Sequence, residues 1–184
     1  MRNPFKYGGV VTGEDFADRT TELSEITRDL ADCEKLFMIS PRRYGKSSLI
    51  MNILEKLEDR GIHTIYIDLY KATSLNRLLE LYSREIALAL ESTLEKAISF
   101  VREVIPGLRP KITLDGRGEA TLGIEYINTR RDVIKLLNQV YDLPQRLAEK
   151  KDKNFVIAFD EFQEILNFNG ESIEKGMRSA FQHH

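Results

Sequence analysis

Ser40-Pro41-Arg42-Arg43-Tyr44-Gly45-Lys46-Ser47-Ser48 is the segment whose residue types and spacing speak first of chemistry. The apolar run Leu36-Phe37-Met38-Ile39 leads into it, and Leu49, Ile53, Leu54 and Leu57 recur at helical spacing after it. A turn from strand to helix presents backbone N–H groups and the positive end of a helix dipole, and both attract phosphate oxygens. Gly45 lets the backbone approach the phosphates closely. Lys46 carries a charge toward β- and γ-phosphates, and the Ser47 hydroxyl is a ligand of the kind Mg²⁺ takes. This is the context of a Walker A loop. Its pattern usually begins with Gly, whereas Ser40 stands here, and a left-handed backbone would strain a serine. The rival reading is a basic turn ahead of a helix, with Lys46 simply solvated.

A second motif weighs against that rival. Phe155-Val156-Ile157-Ala158-Phe159 is an apolar run that ends in Asp160-Glu161. A strand with two carboxylates at its C-terminal end is the Walker B arrangement. Asp160 would hold Mg²⁺, usually through a bound water, and Glu161 would polarise an attacking water. Ligands of open α/β sheets bind at the carboxyl ends of the strands. Alone the motif is weak, because many strands end in a solvated acidic turn; paired with a Walker A loop it becomes specific.

The elements that must position these residues follow from periodicity. Met1 to Asp18, with Gly8, Gly9 and Gly13, reads as an ordered loop. Leu23, Ile26 and Leu30 predict a helix over Arg19–Cys33, with Thr20 or Thr21 as its cap. Lys35–Ser40 is expected to be a buried strand, Gly45–Arg60 a helix ended by Gly61, and His63–Tyr70 a second strand. Ser74–Ile105 reads as one long helix or a kinked pair that stops at Pro106-Gly107. Ile112 and Leu114, then Leu122, Ile124 and Tyr126, flank Asp115-Gly116 and Gly118, which predicts a β-hairpin over Lys111–Ile127. Thr129–Lys150 returns to helix, bent by Pro144; Phe155–Phe159 is a third buried strand, and another helix begins at Gly170. Strands alternating with helices imply a parallel sheet with helices on both faces, so the three strands should run parallel.

Composition is consistent with this reading. The 184 residues suit one domain, and 42% hydrophobic with 30% charged residues is a soluble, globular mixture. A net charge of −2 gives no bulk attraction to nucleic acid or anionic membrane. The single cysteine, Cys33, excludes an internal disulfide. No stretch approaches the roughly 20 apolar residues of a membrane span, and no signal peptide opens the chain, so the cytoplasm is the default compartment.

In order along the chain, Asn3-Pro4-Phe5, Phe16-Ala17-Asp18-Arg19 with Glu22-Leu23, Ser40 to Ile50, and Asp160-Glu161-Phe162-Gln163 resemble the archaeal-type ATPase family. That family belongs to the AAA-like and STAND-like group of P-loop NTPases, some of whose members also begin the Walker A loop with Ser. The resemblance implies a three-layer P-loop core over residues 1–184, with ATP and Mg²⁺ as ligands. It implies that Phe16 packs near the adenine, that Gln163 senses nucleotide state, and that ATP hydrolysis switches an attached effector domain. Relatives continue into a fourth strand with a polar sensor, a fifth strand and an arginine-bearing helical region. By that comparison the core is incomplete at the C-terminus, with weak or no hydrolysis by this chain. The alternative is a non-catalytic nucleotide-binding or interaction fragment. A homo-oligomer stays open as a partner.

Other residues carry less. Cys33 at a helix end is expected to be a small packed residue rather than a reactive thiol. His63, His183 and His184 lack metal-ligand spacing. Arg42 and Arg43 suit a phosphate, a neighbouring subunit or plain solvation. Arg130-Arg131 open a helix, where surface exposure is expected. The hairpin is either a partner-binding insertion or decoration.

Overall fold

In the computed structural model, the helical spacing around Leu23 and Leu49 becomes α1 (Thr20–Ala31) and α2 (Lys46–Glu58). Described are residues 9–13, 16, 19–41, 43–105, 107–126, 136, 139–151 and 154–168, in two units, Met1–Thr64 and Ile65–His184. Arg42, Arg130-Arg131, His183-His184, the helix expected from Gly170 and much of the helix expected from Thr129 lie outside the described residues.

The first unit is built on α1 packed against α2. Leu23 on α1 and Leu49, Ile53, Leu54 and Leu57 on α2 are buried. The Thr27 hydroxyl, also buried, meets its need by donating to the Leu23 carbonyl at 2.6 Å. Arg19, rather than Thr20 or Thr21, occupies the N-cap position of α1, and no side chain caps the helix. Its guanidinium instead forks onto Glu22 in the first turn, an acid placed favourably for the dipole. Cys33 is exposed, not packed, in the left-handed region (φ 65) just past the helix. The chain leaves α2 through Gly61 (φ 80): Gly61 N–H donates to Glu58 O at 2.8 Å and Ile62 N–H to Leu57 O at 3.1 Å. That is the Schellman ending, and the buried Ile62 seals it.

Lys35–Ser40 is not a strand. Phe37 is 87% and Ile39 96% exposed, so the apolar run is neither paired nor buried. An extended run becomes a strand only with a ladder partner, and among the described residues the ladders join His63–Asp68 to Phe155–Asp160 and Leu108–Leu114 to Ala120–Tyr126.

From Ile65 on, the second unit holds both ladders. The strand β1 (His63–Asp68) pairs in parallel with β4 (Phe155–Asp160). β1 stops at Asp68, whose carboxylate accepts from Tyr70 N–H and opens a 3₁₀ turn over Leu69–Lys71. A pair of helices follows, α3 (Leu75–Leu90) and α4 (Leu94–Val104). Ser74 caps the first through Arg77 N–H, and Thr93, at the break between them, caps the second through Lys96 N–H.

The hairpin, β2 (Leu108–Leu114) and β3 (Ala120–Tyr126), starts three residues earlier than its periodicity suggests and pairs antiparallel, with Ile112 opposite Leu122 and Pro110 opposite Ile124. It is no loose decoration: it packs on α3 and α4, and Leu122 and Ile124 join the core. The helices cover only part of the apolar face, so Ile112 (63%) and Leu114 (71%) toward the turn are exposed. Gly123 is needed where it is, since a Cβ there would meet Thr113 Cγ2 at 2.5 Å.

After a helical stretch through Tyr141, the turn at Asp142 precedes α5 (Leu143–Lys151). Pro144 therefore sits in the first turn of a new helix, where its missing N–H is harmless, rather than bending a continuous one. β4 leads to the 3₁₀ segment Phe162–Phe168. Phe155 to Phe159 are half-buried, not fully buried, because β4 pairs only with β1 among the described residues. Around the sheet, Ile65, Ile67, Leu78, Leu79, Tyr82, Val101 and Ile165 form one apolar cluster.

Candidate functional site

In the first unit, Ser40, Pro41 and Arg43 to Ser48 form one turn into α2. Arg43 (φ 65) and Gly45 (φ 72) are left-handed, with Tyr44 between them on the ordinary side. Alternating hand is the backbone pattern that gathers N–H groups into an anion-binding concavity. Gly45 is the N-cap of α2, yet no side chain caps the helix and no acid lies in its first turn. A protein helix normally caps or neutralises this end; here a lysine, Lys46, opens it, against the dipole. Space is not why Gly45 is glycine, because nothing lies within 4 Å of the Cβ it lacks; the positive φ is. Ser40 is not left-handed, so serine at the start of the pattern is unstrained. Its hydroxyl is buried without a hydrogen-bond partner. Lys46, Ser47 and Ser48 are half-buried, while Pro41, Arg43 and Tyr44 are exposed.

This turn is fastened from the N-terminal side by residues that periodicity does not single out. Arg19 Nη1 donates to the Tyr44 carbonyl at 3.1 Å while the same guanidinium holds Glu22. Asn52, buried on α2, accepts from Gly13 N–H at 3.0 Å and donates to the Val11 carbonyl at 2.9 Å and the Ser48 carbonyl at 2.7 Å. Ser48 Oγ accepts from Val11 N–H at 3.0 Å. Segment 11–13 is thus held against the first turns of α2, and Phe16, half-buried, donates its N–H to Gly13 O. The signal for Asn52 was available: it is a polar residue on the apolar face marked by Leu49 and Ile53.

The acidic pair belongs to the second unit. Asp160 is 3% exposed, the most buried position of β4. Its Oδ1 accepts from Glu161 N–H at 2.9 Å and its Oδ2 from the Tyr66 hydroxyl on β1 at 2.8 Å. Glu161 turns the chain with φ 54, a left-handed conformation rare for a glutamate. Its carboxylate meets the Gln163 amide, and its carbonyl accepts from Glu164 N–H at 2.9 Å. Behind it, Phe159 stacks on Tyr82 (5.9 Å) and meets Phe162 edge-on (6.3 Å), so the ring just after Glu161 is anchored to the core. Burial pushes the Tyr82 phenol far above its ordinary value, with the Tyr141 and Asp142 charges adding to it.

The oxygen donors among the expected site residues, the Ser47 hydroxyl and the Asp160 carboxylate, have the hard chemistry Mg²⁺ prefers. Among the described residues no cluster of three or more His, Cys, Asp or Glu could cage a metal. The hydroxyl and the carboxylate are each a donor of the kind that a metal ion shared with nucleotide phosphates and water takes. No helix among the described residues is long and apolar enough to cross a membrane. No curated protein and no solved structure matches the chain. One family model does, over residues 16–184, from Phe16 through the uncapped loop to the acidic strand end and beyond: the chain belongs to the family described as an ATPase domain predominantly from Archaea.

Proposed function

We propose that this chain binds ATP with Mg²⁺ through Ser40 to Ser48 and Asp160, as a three-layer P-loop domain, and that the bound ATP is hydrolysed. The observation that carries the reading is the start of α2: a helix N-terminus without a side-chain cap, left-handed at Gly45, opened by lysine and with no acid in its first turn. The turn cradles the triphosphate, with Lys46 reaching the β- and γ-phosphates and Arg43 within the same loop; Arg42 is assigned there by its position in the motif. Ser47 Oγ and Asp160 hold the metal ion, which neutralises charge on the phosphates. Glu161 polarises the attacking water and Phe16 lies by the adenine. Hydrolysis switches an attached effector domain or a homo-oligomer.

A second reading, a nucleotide-binding module without catalysis, draws support from one contact. The Glu161 carboxylate, the group assigned to water, is engaged by Gln163. Binding is the step common to both readings, so it is tested first. If ATP-Mg binds only the folded chain, ligand at 100 times its Kd adds about 2.7 kcal/mol, a Tm rise of about 5–10 °C for a chain of this size. Lys46→Ala should lose most of that rise. A folded, reversibly melting sample with no rise in excess ATP-Mg overturns the proposal.

A further inference from the structure

Tyr66 lies on β1 beside the acidic end of β4, and neither its position in the sequence nor its type marks it as part of a phosphate site. The alternation of β1 sends Ile65 and Ile67 into the core and Tyr66 to the opposite side. There its hydroxyl donates to Asp160 Oδ2 at 2.8 Å, while Glu161 N–H holds Oδ1 at 2.9 Å. The two donors differ in kind. The amide is the next residue of the chain and moves with Asp160. The phenol reaches across from another strand, on a ring with few degrees of freedom, and pins the second oxygen to the sheet. A carboxylate held at both oxygens cannot rotate about its own axis. A carboxylate offers about four lone-pair sites when ionised, so these two bonds do not by themselves exhaust what it can accept.

We infer that Tyr66 is a positioning residue: its hydroxyl fixes the orientation of the Asp160 carboxylate and thereby sets the Mg²⁺ dependence of nucleotide binding. The inference rests on the proposed role of Asp160. Mg²⁺ requires near-ideal octahedral geometry, so an acceptor that swings is a poorer one. Outer hydrogen-bond partners of ligating carboxylates matter to metal affinity for this reason.

The test uses the full chain and Tyr66→Phe, which keeps the ring and removes only the donor. At saturating ATP, Mg²⁺ is titrated and the melting midpoint followed, each variant referred to its own midpoint in EDTA so that a general loss of stability cancels. The half-saturating Mg²⁺ concentration should rise about tenfold, the lower end of the effect of losing such a partner. The ATP-dependent shift in EDTA should stay as in the parent chain. In an Asp160→Asn background, Tyr66→Phe should move the Mg²⁺ half-point no further, because the carboxylate it positions is gone. An unchanged half-point in Tyr66→Phe, or an equal shift in the Asp160→Asn background, overturns the inference while leaving the nucleotide site intact. An Asp160→Asn chain that titrates like the parent removes the role of Asp160 itself, and the inference with it.

Discussion

At Glu161 two facts meet: a carboxylate at the end of a strand, and a backbone forced to φ 54. Left-handed backbone costs an ordinary residue about 1–2 kcal/mol, so its presence here needs the Asp160 and Glu164 bonds on either side to hold it. Glu161→Gln retains the hydrogen-bonding shape and removes the base. It should therefore keep the ATP-induced rise in Tm and abolish any phosphate release. Equal release by the variant, in a steady-state phosphate assay, rules out Glu161 as the group that activates water. Ser40 is a contrasting case. Its departure from glycine suggested strain, and the backbone there turns out to be unstrained. Arg19 and Tyr66 also bond partners distant in the chain, Tyr44 and Asp160, which no local spacing announces.

Among the elements, α2 depends on more than its own periodicity. Asn52 ties segment 11–13 to it with two hydrogen bonds, from Gly13 N–H and to the Val11 carbonyl. Asn52→Ala would leave buried polar groups unmet, at a cost of about 1–3 kcal/mol. The expected outcome is faster amide exchange at Val11 and Gly13, with the exchange in α3 and α4 unchanged. The hairpin offers a pH test. Backbone N–H groups of Glu119, and then Arg117, hold the Asp115 carboxyl below its ordinary value of 3.8. A depressed carboxylate contributes stability that is fully present above that ordinary value and is lost as pH falls through the folded one. Asp115→Asn should melt below the parent chain at neutral pH, and the gap should close as the pH is lowered beneath 3.8. Melting curves of both chains across that range decide it.

For the molecule as a whole, the second unit carries the largest apolar cluster, and two tyrosines lie inside it. Burial first, then the charges of Tyr141 and Asp142, raise the Tyr82 phenol; burial raises Tyr141. The folded chain keeps protons that the unfolded chain releases above the ordinary value of 10, so this stabilisation is complete below that pH and declines above it. In an alkaline titration, at least two of the seven tyrosines should ionise late, in step with the loss of circular dichroism rather than before it. Phenolate absorbance that completes before the dichroism changes would contradict the burial. The sequence by itself determined the helices α1 and α2, the hairpin, and a helical stretch over Ser74–Ile105 that it left as one long helix or a kinked pair. Each is a local matter: apolar spacing, a Ser or Thr cap, an Asp-Gly turn, a Gly45 that alone tolerates its backbone without strain. It misread Lys35–Ser40, because an apolar run becomes a strand only through hydrogen bonds to a second strand, and that partner is chosen in three dimensions. Tertiary structure likewise decided that the hairpin belongs to the core, that Asn52 and Arg19 fasten the loop, and that a hydroxyl 94 residues away in sequence holds Asp160. Those contacts join residues remote in the chain, and periodicity reports only on neighbours.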